Sequence, residues 1–366
     1  MGVIPQPQID IYELALLESR FEYKNPISEP LFMSHISLTL EQAHLLAKNC
    51  LLKNGCDELN ATAVADTIVQ AEADECFSHG LFRIPLYIKG LQAGRANGKA
   101  QPTVEQLAPA VVRVNGDSGF APLGLQKGHQ SLVDCAKKNG IAALAFTNMF
   151  HIAALWPEVE KLAEDGLCAF AFTAAHPYVA PAGGIKPLYG TNPMGFSWPR
   201  KDGPPLVFDQ ASASMARGEI MIAARDGHSV PETAGIGPNG EATTDPNVIL
   251  EGAQLGFGGY KGAALGMMIE LIAGPLIGEF LSFEAKEDDA GRGGSPKGGE
   301  LIIALNPAMF GDPTHFLDHG EKLFAAILEQ EGTRLPGQRR VQNRLKTAKE
   351  GISVPLSLYE SITELS

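Results

Sequence analysis

The change of texture at Pro109 constrains the fold of this chain more than any other feature. Upstream of it the pattern is helical. SHISLTLEQAHLLAKNCLLKNG has Thr39 as a cap, apolar positions at helical spacing and Gly55 as a stop. ELNATAVADTIVQAEADECF continues with Asn60 as a plausible cap, and IPLYIKGLQAG is amphipathic and stops at glycine. Downstream, β-type runs alternate with helices. AVVRVNG ends in a turn signal, and LVDCAKKNGIAALAFTNM reads as helix, turn and strand. LCAFAFTAAH, PLVFDQAS and ELIIALNPAMFG are strand-like, while HFLDHGEKLFAAILEQEG is a helix closed by Gly332. TNPMGFSWP and DGHSVPETAGIGPNGEATTDP read as loop-rich, and residues 285–300, AKEDDAGRGGSPKGGE, as a mobile connection. The fold class is therefore mixed α/β or α+β, with a helical N-terminal part ahead of a sheet-containing domain.

Composition narrows the function. Hydrophobic residues make up 45% of the 366 and charged residues 19%, enough for a substantial interior. A net charge of −13 argues against nucleic acid as a partner. The five cysteines include no CxxC pair, so buried reduced thiols are expected rather than a zinc ribbon or a redox dithiol. No HExxH or HxH pattern is present, and HFLDHG sits on a helix with apolar neighbours, so no metal is expected. The acidic N-terminal segment does not read as a secretory signal, and no apolar run has membrane-span length. A cytoplasmic location, away from membranes, is expected. Residues 1–32 hold four of the 25 prolines and read as an appendage.

Five stretches carry candidate chemistry. In CFSHGLFRIPLY, a continued helix would put His79 and Arg83 on one face with Ser78 beside them, and Pro85 would end it. An imidazole near neutrality gives a proton, and a guanidinium grips a carboxylate with two hydrogen bonds. A surface pair without a role has the same composition. In NMFHIAALWPE, His151 follows a strand and opens a helix, either as a site residue or as a satisfied semi-buried histidine. LYGTNPMGF places Thr191 and Asn192 in a turn that exposes polar groups. FDQASASMARGEI ends a strand at Asp209, then presents Arg217 and Gly218. RLPGQRR gathers three arginines about a Pro-Gly turn, suited to an anionic ligand such as a ribose phosphate or to solvent. A Rossmann fingerprint is missing, because in GFGGYKG Lys261 stands where the third glycine should be. That loop still leads into a helix start near Tyr260, where an anion is favoured; tight packing of the loop is an equal reading.

Taken in order, SHGLFRIPLY, NMFHIAALWPE, YGTNPMGF, FDQASASMARGEI, TTDP, GGYKGAALGMMIELIAG and RLPGQRR resemble the malate/L-lactate dehydrogenase family. This is the NAD(P)-dependent, non-Rossmann group that includes ureidoglycolate and sulfolactate dehydrogenases. The HxxALWPE run most resembles its Δ1-piperideine-2-carboxylate and Δ1-pyrroline-2-carboxylate reductases. The resemblance spans roughly residues 34–345 and implies a homodimer with a malate/sulfolactate-dehydrogenase-like fold. It implies a helical substrate and dimerisation part at 33–110, an NADP-binding catalytic domain at 111–285, and a C-terminal part at 286–366 packing back on the helices. By the same resemblance, His79 is the proton donor and Ser78 its relay. Arg83, Thr191, Arg217 and Gly218 contact a cyclic imino acid. His151, Ile152, Ala153, Ala154 and Leu155 contact NADPH, as do Asp209, Gln210, Ala211 and Tyr260. So do Gly332, Thr333, Arg334, Leu335, Pro336, Gly337 and Gln338, the last standing where an acidic residue is common in the family. The implied reaction is hydride transfer to C2 of a cyclic imine, giving L-pipecolate or L-proline. A 2-hydroxy-acid dehydrogenase of the same fold, acting on malate or lactate, is the alternative; a silent ligand-binding protein is a third reading.

Overall fold

The computed structural model describes residues 34–366 apart from 152, 153 and 175. The appendage at residues 1–32 and the expected cofactor contacts Ile152 and Ala153 lie outside the described residues. Strand β1 (His35–Leu38) leads into α1 (Leu40–Lys53), α2 (Glu58–Ala73) and α3 (Ile84–Gln92). Thr39 caps α1 in a full capping box with Gln42. The cap of α2 is Asp57, not Asn60: the Asp57 carboxylate accepts from the Asn60 backbone N–H, and its charge suits the helix dipole better than an amide.

The hairpin β2 (Thr103–Ala108) and β3 (Val111–Phe120) opens the second region, followed by α4 (Ala121–Asn139) and β4 (Ile141–Phe150). Then come α5 (Trp156–Glu164), β5 (Cys168–Thr173), β6 (Met194–Trp198) and β7 (Leu206–Gln210). Beyond α6 (Arg217–Asp226), the two-residue strands β8 (Gly235–Ile236) and β9 (Ala253–Gln254) flank α7 (Pro246–Glu251). Helices α8 (Tyr260–Ala273) and α9 (Ser282–Asp289) precede β10 (Lys297–Leu305). The chain closes with α10 (Phe316–Leu328), α11 (Gln338–Glu350), β11 (Ile352–Pro355) and α12 (Leu356–Leu365).

Seven strands form one mixed sheet in the order β2-β3-β4-β10-β5-β6-β7, in which only the β3–β4 pair is parallel. That pair is joined by the crossover helix α4, as a parallel connection requires. Its inward side chains Val112, Val114, Leu144 and Phe146 meet Trp156 and Val159 of α5 in one core. A second core joins Leu51, Ile68, Leu81 and Ile84 to Ile352 and Ile362, and β1 pairs antiparallel with β11. Each fully buried side chain of this size contributes about 1.5–3 kcal/mol. The C-terminal segment thus completes the core of the helical start.

Two loop expectations are corrected. Met194–Trp198, read as part of a loop-rich stretch, is a strand in which Ser197 is fully buried. Residues 285–300, read as a mobile connection, contain the end of α9 and the start of β10. Arg95 fixes the turn between them, pairing with Asp289 at 2.6 Å and donating to the Gly293 carbonyl at 2.8 Å.

Candidate active site

Helix α2 does not continue through the Ser-His-Arg stretch. Glu75 takes a left-handed φ of 57°, and the chain then makes two 3-10 turns, Phe77–His79 and Leu81–Arg83. Pro85 starts α3 in its first turn rather than ending a helix, because proline lacks only an N–H that is unpaired there anyway. Glu72 sets the path between the turns: its buried carboxyl accepts from the Leu81 N–H at 2.7 Å. A Cβ on Gly80 would lie 2.1 Å from Glu72 Oε1, so a larger residue at this crossing would displace that carboxyl from the Leu81 N–H.

The two turns carry Ser78, His79 and Arg83 into a cavity of about 480 Å³. Ala154, Thr191, Asp209, Gln210, Ala211, Arg217 and Gly218 line it too, so sequence positions more than a hundred residues apart share one wall. The Ser78 hydroxyl lies 3.0 Å from His79 Nδ1, and the Cys76 sulfur 3.7 Å from the same atom. Burial pushes the Cys76 thiol up to about 12, so it keeps its proton. The Ser78 hydroxyl and the Cys76 thiol thus both lie against Nδ1 and hold the ring in place through that nitrogen. Burial, reinforced by Arg83 and His151, lowers the imidazole to about 3, so it is neutral while nothing anionic is bound. Cys76 is thus a cavity thiol; the other four cysteines are buried, and none is in a disulfide.

Arg83 donates from Nε to the Ser78 carbonyl at 2.6 Å and has no carboxylate partner among the described residues. Burial lowers its proton affinity. Arg217 stacks on the Tyr178 ring at 4.4 Å and donates to the Leu250 carbonyl at 3.1 Å. Gly218 lies so close that an added Cβ would sit 2.8 Å from Arg83 Nη2. The Thr191 carbonyl accepts from both the N–H and the hydroxyl of Ser212, each at 2.9 Å. Asn192 does not present its polar group to the cavity. It is buried at φ 36° and donates to the Gly266 carbonyl at 2.9 Å and to Glu270 at 2.6 Å.

The opposite wall is built on Asp209. Its carboxylate accepts from the Leu155 N–H at 3.1 Å and pairs with Arg340 at 3.3 Å, and Arg340 lies over the Trp156 ring at 4.4 Å. The Trp156 indole donates to Asp74 at 2.8 Å. Not every expected cofactor residue lines this cavity. Tyr260 is exposed on a neighbouring cavity of about 310 Å³ that shares Ser214 with the first. Gly332, Thr333, Arg334 and Pro336 are exposed, Leu335 is buried, and half-buried Gln338 accepts from the Leu335 N–H at 2.9 Å. His151 is buried behind the site, 3.0 Å from Glu300. Sequence reading missed Glu158 and Glu300, which meet His151 from a helix and a strand. Their spacing in the chain carries no signal for that meeting. The HFLDHG histidines form no such cluster: of the groups described, only His151, Glu158 and Glu300 have the spacing of a metal-ligand set.

Residues 38–363 match the malate/L-lactate dehydrogenase family. The chain belongs to that family. It is 45% identical over 332 residues to a Δ1-pyrroline-2-carboxylate reductase of Ancylobacter novellus, covering 90% of this chain and 97% of the relative. It is also 45% identical to a Δ1-pyrroline-2-carboxylate/Δ1-piperideine-2-carboxylate reductase of Pseudomonas aeruginosa, covering 90% and 99%. The crystal structure of Δ1-piperideine-2-carboxylate reductase from Pseudomonas syringae pvar. tomato superposes with a TM-score of 0.86 at 37% identity, covering 90% of this chain and all of that one. The mixed sheet with its helical start is therefore the fold of this family, as the resemblance implied. No helix among the described residues is long and apolar enough to cross a membrane.

Proposed function

We propose that this protein is an NADPH-dependent reductase of cyclic imino acids, converting Δ1-piperideine-2-carboxylate to L-pipecolate and Δ1-pyrroline-2-carboxylate to L-proline. The observation that carries this reading is the pairing, within one cavity, of a carboxylate-free guanidinium at Arg83 with the neutral imidazole of His79. Relatives bearing those enzyme names at 45% identity support the choice of substrate.

The chemistry that nicotinamide supplies when bound is a hydride for C2 of the imine. Residues of this chain do the rest. Arg83 holds the substrate carboxylate, assisted by Thr191 and the Arg217–Gly218 corner, and so fixes which face of C2 is presented. Burial is the main cause that lowers His79 and Arg83 the second, and the bound carboxylate offsets the Arg83 charge, so the proton affinity of the imidazole rises as substrate enters. His79, with Ser78 orienting its Nδ1, then manages the proton at the substrate nitrogen. The cavity fits a flat ring beside the substrate because Ala154, Ala211 and Ala213 leave its walls unfilled. Arg334 and Arg339 are exposed and form no ion pair among the described residues, which favours NADPH, with its extra ribose phosphate, over NADH. Tyr260, Met267, Leu271 and Leu276 leave an exposed apolar face along and beyond α8, as a homodimer interface would. The five unpaired cysteines suit the reducing cytoplasm.

The deciding experiment follows nicotinamide absorbance with NADPH or NADH and, in turn, the two cyclic imines, pyruvate and oxaloacetate. Oxidation of NADPH by the imines is expected; turnover confined to the keto acids rejects the assignment in favour of a 2-hydroxy-acid dehydrogenase.

A further inference from the structure

Behind the cavity, the main core encloses carboxyl groups that the reaction does not use. Glu300 lies on β10, a central strand, opposite Phe146 of β4 and Thr173 of β5. Directly paired residues share one face of a sheet, and so does Ile302 two positions on. Phe146 and Ile302 belong to the main core, so Glu300 projects into it, and its side chain is 0% exposed. The pairing with β4 shifts register between Gly298 and Glu300, the kind of irregularity that re-aims a side chain. Glu158 enters from the first turn of α5, and His151 directly follows β4, with side-chain exposures of 8% and 5%. Neither oxygen of Glu300 has a hydrogen bond among the described residues, nor does Oε2 of Glu158. A buried carboxyl oxygen needs a donor or a cation, and an apolar core supplies neither.

The distances suit a cation. His151 Nε2 is 3.0 Å from Glu300 and 4.0 Å from Glu158, and one ligand-type atom from each residue lies within 4.8 Å of the others. An ion held at about 2.0–2.2 Å by nitrogen and oxygen sets neighbouring ligands about 3–4 Å apart, so small side-chain movements would close this set around one. A bound ion displaces any protons the three groups carry, whatever their titration. Two carboxylates then balance a charge of 2+, and the loaded site buries no net charge. One imidazole with two carboxylates suits a divalent first-row transition ion better than Ca²⁺ or Mg²⁺, whose sites are built from oxygen. An entry path exists as well. Glu158 also lines a second cavity of about 140 Å³, and two other lining residues, Asp66 and Lys161, are exposed, so this cavity opens to solvent. An ion can reach Glu158 there without crossing the catalytic cavity.

We propose that His151, Glu158 and Glu300 form a structural site for one divalent transition-metal ion of the Zn²⁺ or Mn²⁺ type. The ion ties the end of β4 to the central strand β10 and to the start of α5. Ala154 and Trp156 at that junction line the catalytic cavity, and the Leu155 N–H binds Asp209. None of the three ligands lines the catalytic cavity, so the ion braces its wall and takes no part in hydride or proton transfer. The lack of a metal motif in the sequence does not bear on this set, because its members come from three separate elements.

The test uses the purified, tag-free full-length chain and reads binding, not turnover. Elemental analysis after exposure to Zn²⁺ or Mn²⁺ and desalting should find about one ion per chain. After removal by a chelator, restoring the ion to about 100 times its Kd should raise the melting temperature by about 3–6 °C, an effect Mg²⁺ should lack. The isosteric Glu300→Gln removes one ligand charge and should weaken binding by more than about 100-fold, beyond what a supporting residue around a metal contributes. Glu158→Gln should do the same, and it decides if Glu300→Gln does not fold. The double variant His315→Ala/His319→Ala, in the exposed HFLDHG stretch, should bind as the wild type does. Unchanged binding in both glutamine variants would overturn the proposal, as would its loss in the His315/His319 variant alone. So would a wild type that neither retains nor takes up a stoichiometric ion. No arm depends on imine reduction, so the site is judged even if the functional reading falls.

Discussion

Arg344 and Arg83 are both half-buried arginines, and they are used in opposite ways. Arg344 on α11 donates to Asp74 at 2.7 and 2.8 Å and to Glu160 at 2.8 Å, which raises its proton affinity. Asp74 in turn accepts from the Trp156 indole, so this arginine ties α11, α2 and α5 together beneath the cavity wall. Arg83 has only a backbone carbonyl and the face of Phe82, at 5.6 Å, and burial lowers its proton affinity. A cation saturated by protein acids is an architectural tie. One kept short of them, at the edge of a cavity, holds its binding capacity for an anion that arrives later.

Truncating each arginine gives the largest effects and should separate the two roles. Arg83→Ala should lower kcat/KM for the imine on the order of 10²–10³-fold, the cost of removing one partner of a buried charge pair. NADPH affinity and the melting temperature should hardly change. Arg344→Ala should do the reverse. It strands Asp74 and Glu160, so a loss of about 2–4 kcal/mol is expected in urea unfolding, discounted because the guanidinium is partly exposed. Equal effects of both variants on stability would erase the distinction.

Gly218→Ala sharpens it further. The new methyl would meet Arg83 Nη2 at 2.8 Å without removing any charge. A roughly 10- to 100-fold rise in KM for the imine is expected, with kcat for any substrate still bound falling less. If kinetics are unchanged, Arg83 does not need its present position to grip the carboxylate.

The helical start, the crossover helix α4 and the strand at β7 were legible in the sequence because each carries its own period and its own stop signal. The site was legible only in its ingredients. Ser78, His79 and Arg83 stood out by type, yet the helix expected to align them ends at Ala73, and two 3-10 turns held by Glu72 do the aligning. Asn192 read as an exposed turn residue because asparagine tolerates positive φ; only the fold shows Glu270 waiting for its amide. Arg344, Asp74 and Glu160 carry no signal in the sequence, since they meet from segments far apart in the chain. Local chemistry is written in short windows, whereas the pairing of charges across the fold is not.

The titration of the two buried groups near the catalytic turn separates positioning from chemistry, with the smallest expected effects. His79 is held low, so its contribution to stability is present above about pH 6.5, the ordinary imidazole value. It is lost as pH falls toward about 3. Glu72 has the opposite sign: burial raises its carboxyl to about 7. Its contribution is fully present below about pH 4.5 and lost as pH rises through 7, because the folded state must then bury a charge or stay protonated against the solvent. Glu72→Gln keeps an oxygen for the Leu81 N–H and removes the titration. Urea midpoints of the variant and the wild type should therefore nearly coincide at pH 5, and the variant should gain about 1–2 kcal/mol at pH 8. Imine turnover should stay within about threefold, since His79 and Arg83 keep their places. The same stability difference at both pH values would mean that Glu72 does not titrate on the folded chain, and that its carboxylate rather than its geometry holds the catalytic turn.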